Sequence, residues 1–321
     1  MTYRCPVSDA PTLPAPVRPT PDARDRRGVV VAVAIAVAVL SFAGVFLLWR
    51  VFVETLAGQQ VENAAFQGAL HGQTRLWVVA ERVLDVVSVG FMAAVLIAAM
   101  VIAVLRRRWS LAVQVAVLMI GANLTTQVLK KWVFYRPELG VEADYGNTLP
   151  SGHTTAAASV SAALLLVVPP RARPWAAVLG AGYTTATGIS TLIGQWHRPS
   201  DVVAAVLVVL AWTAIACAMV ALTPARASTA TGALRIAGDR PPTPATMRGV
   251  VAGLLIVGVG AGASAAVALS HTWQNLDDLD ARAEEVTAYL GGAAGVLMAS
   301  CLAFAIMLLL RQAAASRLPR G

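Results

Sequence analysis

Long apolar runs separated by short polar clusters set the rhythm of this chain. Eight runs, at about 28–49, 84–105, 110–129, 152–168, 175–193, 200–222, 248–270 and 288–310, each approach the ~20 residues an α-helix needs to cross bilayer hydrocarbon. No internal proline breaks them, and Gly, Ala, Ser and Thr recur within them, which permits close helix packing in lipid. Gly180, Gly182 and Gly188 in the fifth run are examples, although ordinary membrane-helix composition accounts for them equally well. The pattern predicts an all-α, polytopic transmembrane bundle: a six-span core over 28–222 and a two-helix hairpin over 248–321. A Pro- and Thr-containing linker, 223–247, joins them, and a disordered tail, 1–27, precedes them.

Composition supports this reading. The chain is 57% hydrophobic and 13% charged, where a soluble chain carries about 25% charged residues. The first 27 residues are rich in Pro, Arg and Asp and have no apolar core of the kind a cleavable signal peptide needs. The net charge of +8 does not point to nucleic acid, because no run interleaves basic and aromatic residues. Seventeen of the 25 basic residues lie in the N-terminal tail or in clusters that follow alternate spans, as orientation signals do. That bias puts both termini in the cytoplasm. Cys5, Cys217 and Cys301 lie too far apart to suggest a disulfide or zinc pattern.

With that orientation, three polar clusters fall on the outer face. Lys130, Lys131 and Arg136 follow the third span. Pro150, Ser151, Gly152 and His153 open the fourth. His197, Arg198, Pro199 and Asp201 open the sixth. The two lysines are the only ones in the chain, and they stand on the side that should avoid positive charge. A compact ammonium for phosphate explains them; snorkelling from a helix end is the alternative. Ser151 can cap a helix, Gly152 leaves room for a ligand, and the helix start itself favours an anion. Asp201, four residues after His197, can accept the imidazole Nδ1–H and leave Nε2 as a nucleophile. Glu138, Glu142 and Asp144 read as a solvated acidic loop rather than a metal site. The acidic run Asp277, Asp278, Asp280, Glu284 and Glu285 also reads as a solvated face.

Together, Lys-x5-Arg-Pro, Pro-Ser-Gly-His and Ser-x6-His-x3-Asp resemble the signature of the type 2 phosphatidic acid phosphatase superfamily, membrane lipid phosphatases related to acid phosphatases and vanadium haloperoxidases. The resemblance covers residues 28–222. It implies His197 as the nucleophile that forms a phosphohistidine, Asp201 as the group that orients it, and His153 as the acid and then base. It also implies Lys130, Arg136, Ser151 and Gly152 as holders of phosphoryl oxygens, with no metal or other cofactor. This chain departs from the pattern twice. Five residues rather than six separate Lys130 from Arg136, and Thr191 follows Ser190 where the family has an arginine. Arg198 is the candidate replacement for that missing guanidinium.

The expected activity is hydrolysis of a lipid phosphate or pyrophosphate at the outer face of a bacterial cytoplasmic membrane. Polyprenyl pyrophosphate, phosphatidic acid and phosphatidylglycerol phosphate are the candidate substrates. A lipid phosphotransferase, or a degenerate member acting as a transporter or membrane scaffold, is the alternative. The lipid itself and the oligomeric state are not encoded in these motifs.

Overall fold

The computed structural model describes residues 21–86, 97, 109–141, 146–222 and 242–315. Among these residues all regular structure is helical, with no strand. The α-helices are α1 (Pro21–Leu48), α2 (Leu56–Gly68), α3 (Leu70–Val86), α4 (Trp109–Val128), α5 (Gly152–Val167), α6 (Arg173–Ile193), α7 (Pro199–Leu222), α8 (Pro244–Gln274) and α9 (Arg282–Ala315). Single π-helical turns at Trp49–Val53 and Leu129–Val133 extend α1 and α4.

Among the described residues, six stretches are long and apolar enough to cross a membrane: Arg27–Val53, Ser110–Val133, Pro170–Ile193, Pro199–Leu222, Pro244–Gln274 and Arg282–Ala315. This is an integral membrane protein. Helix α5 has 16 residues, shorter than a full span, but nearly all of it is buried among its neighbours. The expected span at 84–105 lies almost entirely outside the described residues. Helix α1 begins at Pro21, within the stretch read as a tail, since proline's fixed φ suits a first helical position. Helix α8 likewise begins inside the expected linker. There Thr243 caps it by accepting the Thr246 amide at 3.2 Å.

Helix α7 forms the axis of the bundle. Helices α1, α4, α5 and α9 pack around it. It is apolar on all sides, as a helix surrounded by protein must be. Ala204, Ala205, Val206, Val208, Val209, Ala211, Ala214, Ala216 and Cys217 are all fully buried. Helix α9 packs against α7, α6 and α2 as well as its hairpin partner α8, so the C-terminal hairpin is part of the core rather than an appendage. By contrast only 11% of the apolar window of α8 is buried within the protein, leaving its other faces for lipid.

Small residues set the helix spacing. A Cβ built at Gly180 would lie 2.4 Å from the Phe304 ring of α9, and one at Gly188 would lie 2.5 Å from Val202 of α7. Gly182 has nothing within 4 Å. Two of the three glycines in the fifth apolar run therefore have a packing reason and the third has none. Trp212, within α7, donates its indole N–H to Thr125 Oγ1 of α4 at 3.0 Å.

The hydrophobic pattern assigns nothing to residues 50–83, yet two helices occupy most of that stretch. Thr55 caps α2 by accepting the Gly58 amide at 3.1 Å. The helix buries Gln59, Val61, Glu62, Ala64, Ala65 and Phe66. Its mixture of apolar and polar buried residues hides it from a search for apolar runs.

The contrast at α6 gives a first test. Gly180→Ala should lower the thermal unfolding midpoint of the detergent-solubilised protein, because the methyl overpacks against Phe304, typically at a cost of about 1–3 kcal/mol. Gly182→Ala should leave the midpoint unchanged or raise it, since alanine is the better helix former by about 1 kcal/mol. Thermal unfolding of the two variants side by side makes the comparison.

Candidate active site

One carboxylate organises the site. Asp201 is 1% exposed, and its Oδ2 accepts three hydrogen bonds. The donors are His197 Nδ1 at 3.2 Å, the Arg198 backbone N–H at 2.9 Å and the Thr148 hydroxyl at 2.6 Å. An ionised carboxylate can only accept, so the imidazole proton sits on Nδ1 and Nε2 keeps its lone pair. The turn before α7 makes this possible: Gln195 takes the left-handed conformation, φ 52°, and Pro199 then starts the helix. His197 and Asp201 end up one helical turn apart and side by side.

The start of α5 is stitched to the same turn. The Ser151 N–H donates to the Asp201 backbone carbonyl at 2.9 Å. Ser151 also caps α5, its hydroxyl accepting the Thr154 amide at 3.3 Å. Thus two helix starts meet, and both direct the positive ends of their dipoles to one place. A Cβ on Gly152 would find only the Gln127 side chain, at 4.0 Å, so space is left beside the α5 start. His153 is exposed on that side. Its ring centroid lies 6.4 Å from that of His197 and 5.2 Å from that of Trp196. Beyond Trp196, whose ring meets Trp77 edge-on at 6.0 Å, an opening is lined by Leu70, Gln73, Thr74, Trp77, Gly194 and Trp196.

Three cationic side chains lie in the same region: Lys130 acts on His153 and Asp201, and Arg136 on Arg198 and Asp201. Arg198 is 1% exposed, with its guanidinium 5.4 Å from the centre of the Phe66 ring. One terminal nitrogen reaches the Thr148 hydroxyl at 3.4 Å, while Nε and the other terminal nitrogen have no acceptor among the described residues. Arg136 also keeps one buried guanidinium nitrogen without an acceptor among the described residues. Burial, and then the positive charge of Arg198, hold the Arg136 guanidinium below its ordinary pKa. The carboxylates of Glu62 and Asp201 offset part of this effect at Arg136, and the spare donors leave both guanidinium groups able to take a further acceptor. Lys130, half-buried in the π-turn after α4, is within electrostatic range of Asp201, whereas Lys131 is exposed. Thr191 is fully buried and donates to the Gly188 carbonyl of its own helix at 2.7 Å.

All eight residues that the motifs singled out therefore lie at one end of the bundle, around the meeting point of the α5 and α7 starts. Several others in the constellation carry no motif signal. Thr148 bridges Asp201 and Arg198. Asn147 fixes the approach to α5 by donating to the carbonyls of Lys130, Phe134 and Leu149, at 3.1–3.2 Å. From α2, the Gln59 amide donates to the Pro137 carbonyl at 2.9 Å and Glu62 Oε1 accepts the Ser200 amide at 3.0 Å. Only the nearness of Thr148 to Pro-Ser-Gly-His could have flagged any of these. The acidic residues after α8 also differ from a purely solvated face. Glu285 Oε2 pairs with His71 Nε2 at 2.6 Å and Glu284 Oε2 with His271 Nδ1 at 3.1 Å.

A helical membrane protein with paired histidines and clustered cations at one end of its bundle is the class defined by this geometry. Residues 111–224 match the family model of the PAP2 superfamily, and that segment carries all three motifs. No curated protein and no solved structure matches the chain. The superfamily match supports a phosphatase-type function in general.

Burial raises the Glu62 carboxyl from 4.5 to about 7, and the negative charge of Asp201 adds to the effect. A raised carboxyl binds its proton more tightly in the folded state, so its contribution to stability is fully present below pH 4.5 and is lost as pH rises through about 7. The thermal midpoint of the wild type, relative to that of non-titrating Glu62→Gln, should therefore fall between about pH 5 and about pH 8. Melting curves of both proteins across that range provide the check.

Proposed function

We propose that this protein is a lipid phosphatase of the cell envelope that cleaves a phosphate monoester or pyrophosphate through a phosphohistidine on His197. The observation that carries the reading is the pair of imidazoles with ring centres 6.4 Å apart, one freed at Nε2 by Asp201, beside guanidinium groups with unused donors.

In the first step His197 Nε2 attacks phosphorus and the bond to the leaving oxygen breaks. His153, as imidazolium, gives that oxygen its proton, so the lipid leaves as an alcohol or as the shorter phosphate. In the second step neutral His153 takes a proton from water, the water oxygen bonds to phosphorus, and the P–N bond breaks to release inorganic phosphate. Both histidines return to their starting states. Asp201 stabilises the positive charge that His197 acquires. The spare donors of Arg198 and Arg136, with Lys130 and the α5 start at Ser151 and Gly152, take the three phosphoryl oxygens. This suits a reaction in which positioning and charge stabilisation do most of the work. Arg198 thus fills the role left open by Thr191, reaching the site from the nucleophile's own turn.

The charge bias along the chain supports an extracytoplasmic site with both termini inside. Envelope lipids such as polyprenyl pyrophosphate, phosphatidic acid or phosphatidylglycerol phosphate fit an opening at the end of a membrane bundle.

Purified full-length protein in detergent, with these lipids and without added metal, should release phosphate. His197→Ala should abolish release, and Asp201→Asn should lower kcat about 10⁴-fold by favouring the wrong tautomer. Malachite-green detection of phosphate reads both. Absence of release from every lipid by the folded wild type would sink the hydrolase reading and leave the degenerate scaffold or transporter. Release only in the presence of an acceptor lipid would identify a phosphotransferase.

A further inference from the structure

The site has a second support that lies outside both the motifs and the family-matched segment. Helix α2 touches each of the two chain segments that bring arginines to the histidines. Gln59 holds the Pro137 carbonyl, next to Arg136. Phe66 lies beneath the Arg198 guanidinium, and its carbonyl accepts from the Gln195 side chain at 3.0 Å. Between them Glu62, 2% exposed, accepts the backbone N–H of Ser200 at 3.0 Å. Ser200 is the second residue of α7, and Asp201 follows it.

We propose that Glu62 is a positioning residue for the reaction: by holding the Ser200 amide and standing close to Arg198, it fixes the turn that carries His197, Arg198 and Asp201. This inference rests on the phosphatase reading of the site.

Three observations support it. The bond spans 138 residues of chain and is fully buried, so it joins two separately folded elements rather than capping a helix locally. Its acceptor is the only acidic side chain of α2. The other carboxyl oxygen has no partner among the described residues, and Glu62 helps to line an apolar cavity of about 300 Å3 with Val61, Ala65, Pro199, Ala265, Gly292 and Met298. A carboxyl with hydrocarbon on one side is costly to bury. Ordinary helix stability offers little reason to accept that cost, since a serine or threonine cap would serve α7 without it.

The charged groups that bear on Glu62 are few. Asp201 and Arg198 act from the start of α7, and the Arg136 guanidinium acts from the loop after α4. Helix α9, packed along α2, brings Glu284 and Glu285, which engage His271 and His71. The π-turn before α2 brings Arg50, paired with Glu54. The residues of α8 and α9 that line the cavity do not titrate. Burial keeps the Glu62 carboxyl near neutrality at about 7, so glutamine is a close mimic of its protonated form.

The test uses full-length protein in detergent. Glu62→Ala should lower kcat about 10- to 100-fold with KM within about twofold, the range seen when a group that orients a working residue is lost. Glu62→Gln, whose amide oxygen still accepts from Ser200, should recover most of the loss. Glu62→Asp, whose carboxyl is one methylene too short to keep the Ser200 amide, should show most of the same kcat defect. It also preserves the test if Glu62→Ala fails to fold. A folded Glu62→Ala with wild-type kcat, or a defect confined to KM, overturns the proposal. So does equal loss of activity and thermal stability in Glu62→Ala and Glu62→Gln, which would mark a packing role only. Orthovanadate binding, measured by titration calorimetry, supplies a readout that needs no turnover. If the wild type hydrolyses no lipid, the phosphatase reading fails, yet a tenfold weaker vanadate affinity in Glu62→Ala still supports positioning and an unchanged affinity overturns it.

Discussion

The Asp201 carboxylate is the interaction on which the rest of the site depends. It is nearly sealed from solvent, and it takes three donors from two segments of the chain at a single oxygen. Each donor does different work: His197 acquires a tautomer, the Arg198 amide closes the turn into α7, and Thr148 anchors the approach to α5. The Asp201 backbone carbonyl adds a fourth tie, to Ser151. A buried negative charge is tolerable only with such partners. The requirement runs in both directions, so the carboxylate needs the geometry as much as the geometry needs the carboxylate.

That constraint explains the architecture around it. A site assembled from the starts of two helices requires those helices to be held at fixed angle and depth. Helix α7 is held by being surrounded, with alanines and valines that let α1, α4, α5 and α9 approach closely. Helix α6 is held by glycines that admit Phe304 and Val202. The polar end and the apolar body are therefore one design: tight packing below makes sub-ångström placement above possible.

The helical class, the positions of most spans and the three polar clusters were legible in the sequence because each has a strong local signature. A run of apolar residues reports a membrane helix without reference to any partner, and Pro-Ser-Gly-His reports a helix start in four letters. What the sequence hid was relational. Nothing in residues 50–83 announces that Glu62 meets an amide 138 positions away, or that Gln59 reaches the loop after Arg136. Thr148 is likewise an ordinary loop threonine until Asp201 is brought beside it. The acidic run after α8 looked solvated because charge composition alone does not say that His71 and His271 lie opposite. The exchange of an arginine for Thr191 was visible, but the depth at which Arg198 is buried was not.

Gly292 of α9 lies so close to Pro199 that a Cβ there would stand 2.4 Å from the proline ring. The last described helix thus abuts the first residue of the helix that carries the Asp201 carboxylate. During biosynthesis the motif-bearing segment enters the membrane well before this contact exists. The turn at His197 must wait for the ribosome to finish α9 before its back wall is in place. A protein shortened to its recognisable family unit would keep every signature residue and still lack the surface against which they are braced.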